Sequence, residues 1–150
     1  MESNLKGPSL LLNRELSWIE FNRRVLEEAE DPETPALEKL KFISIFSSNL
    51  DEFFQVRVGA LARLVQAGVI DPDQSGMLPK QQIDAIAGKA RIYIAQQYQC
   101  LQETVLPFLK QAGIEIHAVD SLDKKEIHKL NAYFENQVFP ILTPLAVDAG

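Results

Sequence analysis

Asn49 stands where a polar side chain is out of place, in an aromatic stripe between Phe46 and Phe53. An unpaired buried amide costs about 1–3 kcal/mol. It is therefore either satisfied by neighbouring backbone or water, or left free to bond a ligand beside rings that could border a flat base. Arg57 is a second misfit, a cation on the adjoining stripe that also carries Ser47. It can form an ion pair, lay its stem over apolar surface, contact a phosphate, or bridge a domain boundary. The other reactive residue types offer less. His117 and His128 fall on an expected strand and on the helix after it, at a spacing that fits no common metal motif, and read as solvent-facing. Cys100 has no histidine or basic residue within a helical turn and reads as a structural thiol. Asp51 and Glu52 are adjacent, hence about 100° apart on a helix, and cannot share a proton or a metal. Gly59, Gly68 and Gly76 are isolated, and none opens a phosphate-cradling Gly-Lys-Ser or Gly-Lys-Thr loop. The residues thus offer a ligand-contact candidate in Asn49 and a secondary one in Arg57, with no catalytic group and no metal ligand.

The elements that must position these residues are helical. Residues 1 to about 16 read as a lead-in. Ser17 and Glu20 form a capping-box pair, and the helix it opens reaches Glu30, with Trp18, Phe21, Val25 and Ala29 on one face. Asp31-Pro32 ends it. Thr34 as cap and Pro35 at the first position open a second helix that runs to Gly68, a left-handed cap. A break at Ser47-Ser48-Asn49 is conceivable. The stripe Leu40, Ile43, Ser47, Leu50, Phe54, Arg57, Leu61 and Leu64 keeps its three-four alternation through those serines, so one long helix is expected. A neighbouring stripe of Phe42, Phe46, Asn49, Phe53, Val56 and Ala60 makes this helix apolar on two sides, which asks for cover on both. After a turn region, Val69 to Leu78, Pro79 opens a third helix to Ala112. Its face is Ile83, Ala87, Ala90, Ile94, Tyr98, Leu101, Val105 and Phe108, with a kink at Pro107 and an end at Gly113. Three such helices with short connections form an up-and-down bundle over residues 1–112. From 113 the style changes. Ile114-Glu115-Ile116 is β-like, Asp120 or Ser121 caps a helix to Val138, and a proline-broken apolar run follows from Phe139 to Leu145. This resembles the opening of an α/β domain truncated at 150, because a single strand needs partners.

The chain has 150 residues, 46% hydrophobic and 24% charged, with a net charge of −6. That length supports one domain or one domain and part of another. The acidic balance argues against a nucleic-acid surface, which needs a basic stripe, and against docking on an anionic membrane. One cysteine excludes an internal disulfide. No apolar run approaches the roughly 18 residues of a membrane span, and Met1 to Gly7 lacks a basic-then-apolar export signal. The expected location is the cytoplasm, with peripheral membrane association left open.

Three segments, taken together, resemble the bacterial polyphosphate kinases of the phosphohistidine type. They are Asn13-Arg14-Glu15-Leu16-Ser17-Trp18-Ile19-Glu20-Phe21-Asn22-Arg23-Arg24-Val25-Leu26, then Leu40-Lys41-Phe42 with Ser47-Ser48-Asn49-Leu50-Asp51-Glu52-Phe53-Phe54-Gln55-Val56-Arg57, and finally Phe139-Pro140-Ile141-Leu142-Thr143-Pro144-Leu145-Ala146-Val147-Asp148. Their order and spacing span almost the whole chain. The resemblance implies an enzyme that reversibly moves the terminal phosphate of ATP onto polyphosphate. It implies an N-terminal helical domain followed by a head domain, here begun at 113, and two C-terminal domains. Those C-terminal domains carry the phosphorylated histidine and the magnesium ligands, so neither His117 nor His128 is that histidine. The family's ATP-contacting asparagine falls on Asn49. Further implied partners are the remaining domains of the same enzyme and a second subunit, since the head domain and its neighbour contribute to dimerisation. These residues alone are expected to be inactive. The competing reading is a stand-alone helical interaction or dimerisation module.

Overall fold

The computed structural model describes residue 7 and residues 10–145. The chain divides into two compact units, Met1–Ile114 and Glu115–Gly150. In the first, α1 spans Arg14–Glu30. Helix α2 (Ala36–Phe53) passes through a π-helical turn (Phe54–Val58) into α3 (Gly59–Gln66). Helix α4 (Pro79–Cys100) passes through a second π-turn (Leu101–Val105) into α5 (Leu106–Gln111). The residues at these junctions keep right-handed helical dihedrals, so the backbone forms three continuous rods. The single long second helix expected from the sequence is present.

Cross-links give the directions of the rods. Asn22 of α1 bonds to Phe46 and Asn49 of α2, while Lys39, near the start of α2, reaches Ala29 near the end of α1. Gln97 of α4 bonds to Ile43, and Tyr93 and Cys100 of α4 bond to Glu20 and Ala29 of α1. Helix α2 is therefore antiparallel to both neighbours, and α1 and α4 run parallel.

Local chemistry sets the helix ends. The first helix begins three residues before the expected Ser17. The Asn13 side chain accepts from the Leu16 N–H at 2.8 Å, and the Ser17 N–H already donates to the Asn13 carbonyl. Pro35, in extended conformation, caps α2 in place of Thr34. The stops read from glycine hold. Gly68 and Gly113 take φ of +72° and +81°, and each closes a paired set of terminal bonds: Val69 to Leu64 with Gly68 to Val65, and Ile114 to Leu109 with Gly113 to Lys110.

The buried faces differ from the apolar stripes. Helix α1 buries Glu15, Ile19, Asn22, Leu26 and Ala29, while Phe21 is exposed. Helix α2 buries Lys39, Ile43, Phe46, Leu50 and Phe53, and α4 buries Gln82, Ile86, Ala90, Tyr93, Gln97 and Cys100. Ile94, Tyr98, Phe54 and Val56, assigned inward by periodicity, are exposed. The reason is that polar residues share the seams by donating to main-chain carbonyls. Asn22 serves Phe46, Lys39 serves Ala29 and Asp31, Gln82 serves Met77, and Gln97 serves Ile43. The second π-turn lies just upstream of Pro107, which cannot donate to the preceding turn.

The second unit holds a 3₁₀ turn (Val119–Ser121), helix α6 (Lys124–Tyr133), a π-turn (Phe134–Val138) and a 3₁₀ turn (Phe139–Ile141). Its helix is capped at Asp123, not Asp120 or Ser121, through a reciprocal box with Glu126. Among the described residues there is no strand, so the β-like reading of Ile114 to Ile116 fails. A lone segment has no ladder to join. Ala146, Val147 and Asp148 lie outside the described residues. No helix among the described residues is long and apolar enough to cross a membrane.

Candidate functional site

A hollow of about 320 Å³ opens between α1 and the second rod, lined by Trp18, Phe21, Asn49, Glu52, Phe53, Val56 and Arg57. Both candidate residues from the sequence, Asn49 and Arg57, are in it. On an uninterrupted helix Arg57 would stand about 80° from Asn49. Arg57 lies within the π-turn Phe54–Val58 and lines the same hollow as Asn49 and Val56.

The walls are aromatic. The rings of Trp18 and Phe53 are stacked, with centroids 4.2 Å apart, and the edge of Phe54 meets Phe53 at 6.0 Å. Phe21 is exposed at the rim, and the Arg24 guanidinium lies 5.8 Å from its ring centre. The polar equipment is an amide, a guanidinium and the Glu52 carboxylate. Asn49 is half-buried, and its Nδ2 donates to Asn22 Oδ1 at 3.0 Å. Asn22 is fully buried, and its own Nδ2 donates to the Phe46 carbonyl at 3.1 Å. Arg57 is 41% exposed and stands 3.6 Å from Glu15 Oε1, an oxygen that already takes the fork of Arg14 at 2.7 and 3.0 Å. At 3.6 Å the contact with Arg57 is ionic rather than a hydrogen bond, so the guanidinium remains available.

A larger hollow of about 550 Å³ lies around Asn13, Glu15, Asp71 and Asp73, with Arg14 as its one lining cation. Its carboxylates suit an anionic ligand poorly, which leaves the smaller hollow as the better phosphate-ligand candidate. The other candidates stay apart. Cys100 is buried and its thiol is pushed up by burial, which makes it inert. His117 is exposed, 3.2 Å from Glu115, and His128 is exposed on α6. Among the described residues no three His, Cys, Asp or Glu side chains converge as a metal site would require. Sequence reasoning missed Trp18 as a ring wall and Asn22 as the partner of Asn49. The four-residue step from Trp18 to Asn22 was the available signal, since it sets both on one side of α1.

Residues 11–117 match the family model of the polyphosphate kinase N-terminal domain. The chain is 49% identical over 147 residues to a polyphosphate kinase of Bacillus cereus, covering 97% of this chain and 21% of that protein. It is 46% identical over 137 residues to one of Streptomyces coelicolor, covering 91% and 18%. The crystal structure of polyphosphate kinase from Porphyromonas gingivalis superposes with a TM-score of 0.71 at 30% identity, covering 89% of this chain and 19% of that one. The chain thus spans about a fifth of the length of the relatives it matches. With that share of its length under one family model and these identities along nearly all of it, the chain belongs to the polyphosphate kinase N-terminal domain family.

Proposed function

We propose that this chain is the nucleotide-positioning N-terminal part of a polyphosphate kinase, which reversibly transfers the terminal phosphate of ATP to polyphosphate. The observation that carries the reading is the hollow in which Asn49 and Arg57 meet beside the Trp18–Phe53 stack. Phosphoryl transfer depends on positioning and on charge stabilisation. A rigid helix holds the nucleoside end of ATP, and the free edge of Asn49, a carbonyl oxygen beside an N–H, complements the amino and ring-nitrogen edge of adenine. Rings at the wall border the base, and Arg57 reaches toward the ribose-phosphate. Phosphoryl transfer itself belongs to groups outside residues 1–150, including the phosphorylated histidine and the magnesium ligands. The described residues form no magnesium cage of their own. Residues 113–150 begin the head domain, which contributes to a dimer, and the C-terminal domains close the nucleotide pocket.

The test is Asn49→Ala in a full-length enzyme carrying this segment. Losing one hydrogen bond of about 1.4 kcal/mol raises the KM for ATP about tenfold with kcat within twofold, while the melting temperature falls modestly because the buried Asn22 Oδ1 loses its donor. An unchanged KM with a lower melting temperature would make Asn49 a structural amide.

A further inference from the structure

We infer that Asn22, buried in α1, is the positioning residue that fixes which way the Asn49 amide faces. The inference rests on the reading of the hollow as a nucleotide site and adds to it the residue that orients its central contact.

The chain of bonds has one direction. A main-chain carbonyl only accepts, so the Phe46 oxygen requires the nitrogen end of Asn22, which sits 3.1 Å away. The oxygen end of Asn22 is thereby turned toward Asn49 and requires its nitrogen end, 3.0 Å away. Reversing either amide would set two acceptor oxygens against each other. Asn22 is fully buried, so water cannot stand in for either bond. What remains of the Asn49 amide is its Oδ1 and one N–H, neither with a partner among the described residues. The orphaned buried side-chain oxygen among those residues is Glu15 Oε2, so Asn49 Oδ1 is open to solvent. The main chain of α2 thus dictates, by way of a side chain on α1, the donor and acceptor pattern that α2 presents at the hollow. Asn22 touches no ligand in this arrangement. It acts through Asn49.

The experiment is a double-mutant cycle on the KM for ATP in the full-length enzyme. Asn22→Leu keeps the branched shape, at a larger volume, and removes the acceptor. The expected result is a KM raised about tenfold with kcat within twofold, and an Asn22→Leu/Asn49→Ala double variant no worse than Asn49→Ala alone. Asn22→Asp keeps an oxygen toward Asn49 whether or not it is protonated, so its KM stays within twofold of wild type even where its melting temperature falls. Should Asn22→Leu lose the fold, Asn22→Ala takes its place with the same outcomes. Effects that multiply to about a hundredfold in the double variant would overturn the inference. So would a wild-type KM for Asn22→Leu while Asn49→Ala is impaired, or an Asn22→Asp variant as weak as Asn22→Leu. If Asn49→Ala itself leaves KM unmoved, the nucleotide reading falls first and the inference falls with it, a result distinct from the others.

Discussion

Trp18 of α1 and Phe53 of α2 lie ring on ring, 4.2 Å between centroids and 1° from parallel. This contact joins two rods of the bundle and also lines the hollow, so core packing and the candidate site share one pair of side chains. Trp18 is the chain's single tryptophan. Its fluorescence is therefore a clean reporter. Addition of ATP is expected to shift or quench the emission in a saturable way, and Asn49→Ala is expected to move the midpoint to higher ATP. A flat response up to saturating nucleotide, in a sample whose thermal melt shows it folded, would count against the site.

Trp18 also contributes to stability. Truncating a fully buried aromatic costs about 3–5 kcal/mol. Trp18 is half-buried, so Trp18→Ala is expected to cost about 2–3 kcal/mol by urea denaturation, and Trp18→Phe about 1 kcal/mol because a ring still stacks on Phe53. Equal losses in the two variants would show that a ring kept at position 18 stabilises nothing by stacking on Phe53.

Lys39 is 2% exposed, and its ammonium donates to the carbonyls of Ala29 (3.1 Å) and Asp31 at the C-terminal end of α1. Lys39→Met keeps the length but withdraws the charged donor, leaving Ala29 the weak Cys100 thiol and Asp31 the Thr34 N–H. A hydrogen bond from a charged group contributes about 1.5–3 kcal/mol, and the helix also loses a favourable charge at its negative end. A loss of about 2–3 kcal/mol in the unfolding free energy is expected. A neutral Lys39→Met would mean that water replaces the ammonium at no cost.

Glu20 accepts from Lys89 and, at 2.8 Å, from the Tyr93 hydroxyl, linking α1 to α4. The Lys89 ammonium foremost, then the Tyr93 hydroxyl, holds the Glu20 carboxyl below its ordinary 4.5, and Glu20 in turn raises Lys89 above 10.5. A carboxyl lowered on folding contributes stability above its unfolded pKa and loses it as pH falls through the folded value. An ammonium raised on folding contributes below its unfolded pKa and loses it as pH rises through the folded value. The pair therefore contributes most between the two ordinary values. Both side chains are about 40% exposed, so the contribution at neutral pH is under about 1 kcal/mol. Denaturation of wild type and Lys89→Gln should show a gap near pH 7 that closes near pH 3. A gap of constant size would assign it to packing of the lysine stem instead.

How much of this was legible in the sequence depended on the kind of interaction. The three rods, their glycine stops and the candidacy of Asn49 and Arg57 could all be read, because caps, left-handed glycines and misplaced polar residues are local signals. The faces were read about one residue out. Apolar counting cannot see that Asn22, Lys39, Gln82 and Gln97 belong to the seams, since each is admitted by a main-chain carbonyl outside its own helix, for Asn22 and Gln97 on a segment distant in sequence. The π-turn at Phe54–Val58 was equally invisible. Its stripe stays in phase in the sequence, and only the backbone shows that Arg57, within that turn, lines the same hollow as Asn49.

The parallel course of α1 and α4 sets two like poles side by side. Each helix starts with a partial positive charge, and such ends repel when they are neighbours. Asp73 acts as the keeper between them. Its carboxylate takes the Asn13 amide at the head of α1 (2.7 Å), the Ser75 hydroxyl and N–H, and the Met77 N–H just ahead of α4 (2.9 Å). Burial alone would raise its pKa, but the bonds from Ser75, Met77 and Asn13 prevail and hold it below the ordinary value. Lys39 does the complementary service at the far end of α1. The bundle is thus ordered lengthwise by charge, with an anion clamped at one end and a cation at the other.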